Sequence, residues 1–166
     1  MKDTAYTSLA LAAHTDTPYF TDPAGLQMFH LLSHTEGSGG KSLLVDGLHA
    51  AEILRSEDNA AFQILRSKPL TWHASGNKGI TITAAKPIPM FNTVSNGVNK
   101  HVFQIRWNND DRAVLPLGAN FENVTKWYDA ARKFDKIIKR KDMEYWAQLE
   151  PGRPLSTSPT PSSRNY

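Results

Sequence analysis

The run Leu26 to His34 (LQMFHLLSH) is mostly apolar with an aromatic inside it, a pattern that predicts a buried strand. The turn Gly37-Ser38-Gly39-Gly40 follows, then a short strand over Ser42 to Val45. Asp46 stands where it can cap a helix through Ala50, Ala51, Ile53 and Leu54. Asn59 is placed to cap a second helix, with Phe62, Ile64 and Leu65 as its apolar face. Leu70 to Ala74 and Gly79 to Ala84 read as strands, the latter through the alternation of Ile80, Thr81, Ile82 and Thr83. Lys86-Pro87-Ile88-Pro89 interrupts regular structure, and the Asn-rich stretch Asn92 to Lys100 reads as a loop before a strand over Val102 to Trp107. The clearest helix is Phe121 to Lys141. Val124, Trp127, Tyr128, Ala131, Phe134, Ile137 and Ile138 recur in it at three- and four-residue steps and make one apolar stripe. Met143 to Leu149 supplies a last strand.

After Pro151-Gly152-Arg153 the character of the chain changes. Residues Pro154 to Tyr166 are built mainly from Ser, Thr and Pro, too little apolar surface to offset ordering entropy, and a disordered tail is expected at 154–166. Residues 1–153 then form one domain. Strands separated by mixed loops, with helices inserted rather than alternating, favour a mainly β or α+β architecture over a doubly wound one.

Composition narrows the function classes. The 166 residues are 40% hydrophobic and 21% charged, ordinary values for a globular domain with its own core. No apolar run has the length that spans a bilayer. Met1 to Ala13 lacks the basic start and apolar centre of a signal or transit peptide. Cysteine is absent, which excludes disulfides and thiolate metal sites and makes an intracellular compartment the default. The net charge is +3, but the excess gathers at Lys133, Lys136, Lys139, Arg140 and Lys141, near the end of the long helix. Cations suit the carbonyl end of a helix, so a solvated face explains them without nucleic acid.

Without cysteine, chemistry must come from histidine, carboxylates or hydroxyls. Of the six histidines, His14 stands two residues from Asp16, so on extended backbone both side chains project to the same side. An imidazole and a carboxylate meeting there are two corners of the 2-His-1-carboxylate facial triad that binds non-haem iron. H-x-D also recurs by chance, and alone it is a weak signal. The other histidines read as structural, with His30 a core residue of its apolar run.

The surroundings of the pair carry more. Asp3-Thr4-Ala5-Tyr6-Thr7, then His14-Thr15-Asp16-Thr17-Pro18-Tyr19-Phe20 and Gly25-Leu26-Gln27-Met28-Phe29-His30, are similar to the trimethyllysine dioxygenases. The same holds for Gly39-Gly40-Lys41-Ser42-Leu43-Leu44-Val45-Asp46-Gly47, Ile105-Arg106-Trp107-Asn108-Asn109-Asp110, Arg112-Ala113-Val114 and Pro151-Gly152-Arg153. The resemblance runs in order from about residue 2 to 153. It extends to the γ-butyrobetaine dioxygenases and, in general skeleton, to the TauD/TfdA-like oxygenases as a group.

The resemblance implies a double-stranded β-helix, or jelly roll, incomplete in this chain. It implies Fe(II) as metal and 2-oxoglutarate as cosubstrate, with room for ascorbate as an accessory. The implied reaction is hydroxylation of N6,N6,N6-trimethyllysine at carbon 3, in carnitine biosynthesis. His14 and Asp16 match iron ligands. Tyr6 matches an aromatic of the cage around the quaternary ammonium, Asp3 a carboxylate pairing with the substrate's α-ammonium, and Asn108 a donor to its carboxylate. Ser42 falls where a hydroxyl binds 2-oxoglutarate. Each also has a plain structural reading: a half-buried Tyr6, a solvated Asp3, an Asn108 that ends its strand in a turn with Asn109 and Asp110, an edge-strand Ser42. Asp3 favours trimethyllysine, because γ-butyrobetaine has no α-ammonium and its hydroxylases resemble this chain with Asn there.

The chain departs from the family pattern after Arg153. There the family continues to a His-Gly-Arg bearing the distal iron ligand, and to a further Arg that grips 2-oxoglutarate. Here no histidine follows His101, and the only later arginine is Arg164. The expectation is a partial catalytic domain, truncated at both ends and without appreciable hydroxylase activity by itself. The alternatives are a non-catalytic pseudoenzyme pairing with an intact copy, or a γ-butyrobetaine dioxygenase-like protein. Relatives suggest a homo-oligomer for a full-length enzyme, and a mitochondrial or cytoplasmic location; neither membrane nor nucleic acid is an expected partner.

Overall fold

A computed structural model describes residues 10–34, 37, 39–75, 79–96, 99–115 and 121–158. Three helices form its apolar centre: α1 (Gly47–Glu57), α2 (Asn59–Ser67) and α3 (Phe121–Ile138). The stripe read from the sequence is what α3 buries, through Trp127, Ala131, Phe134, Ile137 and Ile138, while Val124 and Tyr128 lie half-buried at its margin. Against it pack Ala50, Ala51 and Leu54 of α1 and Ala61, Phe62 and Leu65 of α2. Small alanines let the helices approach closely, and the aromatics fill the space between them.

The β-structure is antiparallel throughout the described residues and comes as five two-stranded sheets. Strand β1 (Gln27–Phe29) pairs with β10 (Leu155–Thr157), and β2 (Lys41–Val45) with β9 (Glu144–Gln148). Within that outer pairing, β3 (Pro69–Leu70) meets β6 (Ile88–Pro89), β4 (His73–Ala74) meets β5 (Ile82–Thr83), and β7 (Phe91–Asn96) meets β8 (Asn99–Ile105). The β7–β8 hairpin turns Phe91, Val102 and Ile105 onto the helices. A relay of rings joins the layers: Phe62 to Phe91 at 5.5 Å, Phe91 to Phe134 at 5.2 Å and Phe134 to Trp107 at 5.2 Å, the last two edge-to-face. Together with the three helices these strands make the expected mixture of β-structure with inserted helices.

Several expectations need correction. The apolar run Leu26 to His34 is not a buried strand: only Gln27–Phe29 pairs, and Leu26, Met28 and Leu32 are 63%, 64% and 82% exposed. Its partner is the three-residue β10, too short to cover it. His30 is accordingly exposed, not a core residue. Lys86 to Pro89 does not simply break structure, because Ile88 is buried and its carbonyl accepts from the Trp72 indole at 3.0 Å. The polar stretch Asn92 to Lys100 lies largely in the hairpin, where one strand face is solvated and Asn and Ser are tolerated. Leu70 to Ala74 splits in two because Trp72 leaves its neighbours to bridge Arg112, and in Gly79 to Ala84 only Ile82–Thr83 pairs.

Helix α1 is capped by Asp46 as expected, with the His49 amide donating to its carboxylate at 2.9 Å. Helix α2 is capped by Asp58 rather than Asn59, since Asp58 accepts from the Ala61 amide at 2.9 Å. Beyond Arg153 the tail is not wholly without structure: Leu155–Thr157 is β10. Residues 159–166 lie outside the described residues. Three members of the basic cluster at the end of α3 are compensated. Lys133 pairs with Asp58, Lys139 with Asp135 at 2.6 Å, and Arg140 reaches both oxygens of Glu57 at 2.7 Å. Among the described residues no helix is long and apolar enough to cross a membrane.

Candidate metal half-site

Residues His14 to Thr21 have no regular structure of their own and borrow it from the end of β8. The Thr15 amide donates to the Trp107 carbonyl at 2.8 Å, and the Trp107 amide donates to Thr15 Oγ1 at 2.8 Å. The hydroxyl supplies the acceptor that a neighbouring strand would offer. With Thr15 turned toward Trp107, its neighbours His14 and Asp16 face the other way, as alternation on extended backbone requires. His14 Nε2 and Asp16 Oδ1 are 3.3 Å apart, with side chains 31% and 44% exposed.

The next residues hold this geometry from behind. Thr17 has φ 55°, the left-handed region that a β-branched residue enters only at a cost of about 1–2 kcal/mol. The Phe20 amide closes the turn onto the Thr17 carbonyl at 3.1 Å. Arg106, only 1% exposed, then clamps the loop: its Nε donates to the Pro18 carbonyl at 3.2 Å and Nη2 to the Thr21 carbonyl at 2.9 Å. Its Nη1 donates to Gln104 Oε1 at 2.6 Å. Burial pulls the guanidinium's pKa below its ordinary value, an effect the charge of Asp22 partly offsets.

The imidazole is oriented as a ligand would be. A carbonyl can only accept, so the 2.7 Å contact between His14 Nδ1 and the Ala12 carbonyl fixes the proton on Nδ1. In the neutral ring, Nε2 then carries its lone pair toward Asp16. The Gln27 side-chain amide donates to the other oxygen of Asp16, Oδ2, leaving Oδ1 for the shared position. A backbone carbonyl behind the imidazole and an amide behind the carboxylate are the supports that metal ligands ordinarily carry. Two donors on adjacent corners of an octahedral ion, with bonds near 2.1 Å, stand about 3 Å apart. The observed 3.3 Å separation fits that edge.

The two groups also pair with each other. The hydrogen bond to Asp16 raises the His14 pKa to about 9, against opposing desolvation and with help from the Ala12 carbonyl and the charges of Asp16 and Asp111. Asp16 is correspondingly held below its ordinary value, chiefly by His14 and also by Gln27. Asp111 sits near enough to feel His14, His73 and Asp16, and burial raises its pKa. Among the described residues no group of three His, Asp or Glu is arranged to hold a metal ion.

The other sequence-derived site residues divide. Asn108 is engaged locally: its Nδ2 donates to Asp111 Oδ2 at 3.0 Å and its Oδ1 accepts from the Asp110 amide at 3.0 Å. Ser42 lies half-buried on β2 opposite Ala147, with no hydrogen bond to His14 or Asp16. Asp3 and Tyr6 lie outside the described residues. Residue-by-residue reading missed Gln27, Thr15 and Arg106. For Arg106 the signal was present, a charge between Ile105 and Trp107 in an apolar strand. Nothing in the pattern distinguished Gln27.

A histidine and a carboxylate side by side have the chemistry of two of the three groups in the 2-His-1-carboxylate set that binds non-haem iron. Residues 1–154 match the taurine catabolism dioxygenase TauD, TfdA family, and the chain belongs to that family. It is 48% identical to a trimethyllysine dioxygenase of Neurospora crassa, over 93% of this chain and 39% of that protein. It is 42% identical to the mitochondrial trimethyllysine dioxygenase of Homo sapiens, over 92% of this chain and 36% of the relative. The human γ-butyrobetaine dioxygenase is more distant, at 28% identity over 89% of this chain. The chain thus spans less than two fifths of the length of these curated relatives.

Proposed function

We propose that His14 and Asp16 are two of the three protein ligands of Fe(II) in a 2-oxoglutarate-dependent dioxygenase that hydroxylates trimethyllysine at carbon 3. The observation that carries this is the 3.3 Å edge between Nε2 and Oδ1, each ligand supported from behind by Ala12 or Gln27. The bound iron would supply activation of oxygen at the expense of 2-oxoglutarate. This chain's residues would bind and orient it, Asp16 contributing charge and His14 a neutral nitrogen donor. Trimethyllysine is favoured over γ-butyrobetaine by 48% against 28% identity to the respective relatives, and by the acid at Asp3. The nested pairing of β1 with β10 around β2 with β9 supports a jelly roll as the complete architecture.

A second reading has its own observation. With no three His, Asp or Glu arranged to hold a metal ion among the described residues, the reading is that this polypeptide alone holds iron weakly and does not turn over. It is then a non-catalytic member of the family. Calorimetry with Mn(II) as an oxygen-stable probe tests the half-site, and His14→Ala should abolish the heat. Mass spectrometry of trimethyllysine incubated with the chain, Fe(II) and 2-oxoglutarate tests turnover. Metal binding without hydroxylated product supports the half-site together with the second reading. Coupled product and succinate overturn the second reading, and no His14-dependent binding overturns the half-site.

A further inference from the structure

The backbone at Thr17 runs against its own residue type. Its φ of 55° lies in the left-handed region, which a β-branched side chain rarely enters. Pro18 follows, and a proline ring biases the residue before it toward extended backbone with negative φ. Both local preferences are overridden at the residue next to Asp16. The Thr17 side chain does not account for this, since its hydroxyl makes no hydrogen bond among the described residues. Strain of this kind persists only where the surroundings over-determine it, and it concentrates at functional sites.

The chain is gripped on both sides of that residue. Upstream, Trp107 holds Thr15; downstream, Arg106 holds the Pro18 carbonyl at 3.2 Å, and Pro18 itself is fully buried. These anchors are consecutive residues just past β8, yet they grip points three residues apart, which extended backbone would separate by about 10 Å. The chain instead folds back within Asp16 and Thr17. The Phe20 amide, donating to the Thr17 carbonyl at 3.1 Å, closes the reversal, and Pro18 takes the second position of that turn, where its fixed φ is favoured. The same reversal returns the chain to Gln27, whose side-chain amide donates to Asp16 Oδ2. Asp16 thus sits at the bend, with His14 on one arm and its own support on the other.

We propose that Thr17 is the positioning residue of the half-site. Its left-handed backbone reverses the chain at that one point, so that Asp16 keeps an oxygen against His14 while Gln27 and the Arg106 clamp reach it from the far arm. The proposal rests on the reading of His14 and Asp16 as metal ligands, and it adds the backbone conformation that their geometry requires. The requirement is on φ at this position, and the threonine side chain is incidental to it.

The test compares Mn(II) calorimetry with urea melts of the whole 166-residue chain. Asn and Gly enter the left-handed region more easily than threonine, so Thr17→Asn and Thr17→Gly should keep Mn(II) affinity within about threefold. Thr17→Asn should also raise the urea midpoint by relieving strain. Thr17→Pro fixes φ at about −65° and takes away only the Thr17 amide proton. That amide makes no hydrogen bond among the described residues, so the variant isolates φ. It should weaken Mn(II) binding at least about tenfold, the usual effect of losing a ligand's support. Far-UV circular dichroism should keep the helical signal of α1, α2 and α3. A residue serving the fold alone would lose affinity only in step with the urea midpoint, and that result overturns the proposal. An unaffected Thr17→Pro overturns it as well, as do Asn and Gly variants that bind as weakly as Pro. If Thr17→Pro does not fold, Thr17→Asn decides: a higher midpoint with retained affinity supports the proposal, and an unchanged or lower midpoint overturns it. Absence of His14-dependent heat in the unaltered chain overturns the half-site reading and this proposal together. Full heat there, with Thr17→Pro equally tight, overturns this proposal alone.

Discussion

Thr15 and Trp107 hold each other through reciprocal bonds, one from the Thr15 amide to the Trp107 carbonyl and one from the Trp107 amide to the Thr15 hydroxyl, each 2.8 Å long. The side chain thus stands in for a missing strand neighbour. It lies between the two candidate ligands, so what fixes Thr15 also fixes the edge formed by His14 and Asp16. On the far side, the Trp107 ring packs edge-to-face on Phe134, which ties the half-site to the helical core.

Thr15→Val keeps the shape and removes the acceptor. The Trp107 amide is then left without its partner, and stability should fall by about 1–3 kcal/mol in urea melts. Mn(II) affinity should fall with it, because the ligand segment loses its register. Thr15→Ser retains the hydroxyl and should stay close to the unaltered chain. A Val variant with an unchanged urea midpoint would show that the bond is dispensable.

Gln27 donates to Asp16 Oδ2 and leaves Oδ1, the oxygen beside His14, free of it. Gln27→Leu should cost 10- to 100-fold in Mn(II) affinity, the usual effect of removing a partner behind a ligand. The urea midpoint should barely move, since β1 is three residues long and largely exposed. Calorimetry separates the two quantities. A drop in stability equal to the drop in affinity would make Gln27 a folding residue instead.

Arg106 presents a harsher case. It satisfies the carbonyls of Pro18 and Thr21 together with Gln104, from a position that is 1% exposed. Arg106→Lys cannot reproduce the planar fork, and Arg106→Met leaves those acceptors empty. Both should destabilise by about 2–4 kcal/mol in denaturant melts, with Met no worse than Lys because it buries no charge. The Thr17 turn, released from its clamp, should exchange its amides faster.

The legible parts of the sequence were those whose burial follows a single period. The α3 stripe from Trp127 to Ile138 was fully readable, because one face of a helix packs on one core. Asp46 was readable as a cap for the same local reason. The run from Leu26 to His34 misled, since only Gln27–Phe29 pairs and the three-residue β10 is too short to cover the rest. The hairpin through Asn92 to Lys100 was hidden by polar residues on its solvated face, and the strand Ile88–Pro89 by prolines that sit at a sheet edge. At the site, periodicity paired His14 with Asp16. The third dimension was needed to bring Gln27, Trp107 and Arg106 to them.

The last prediction concerns Asp58, which joins three helices. Its amide closes α1 on the Leu54 carbonyl at 2.8 Å, its carboxylate caps α2 at Ala61, and its other oxygen pairs with Lys133 of α3. Asp58→Ala should cost about 1 kcal/mol from the cap and a few tenths more from the exposed ion pair. Asp58→Asn keeps a capping oxygen and should lose only the smaller part, so the difference between the two variants reads the cap. The pH dependence follows from the carboxyl being held below its ordinary value, first by Lys133 and then by the Ala61 amide. A depressed pKa contributes stability that is complete above the unfolded value and disappears as pH falls through the folded one. The gap between the unaltered chain and Asp58→Asn should therefore be flat from about pH 5 to 8 and close in acid, as pH falls through the carboxyl's depressed folded value. Urea melts across that range, repeated at high salt to screen Lys133, measure it; a gap that widens in acid would mean that Asp58 is not the carboxylate holding α2 to α3.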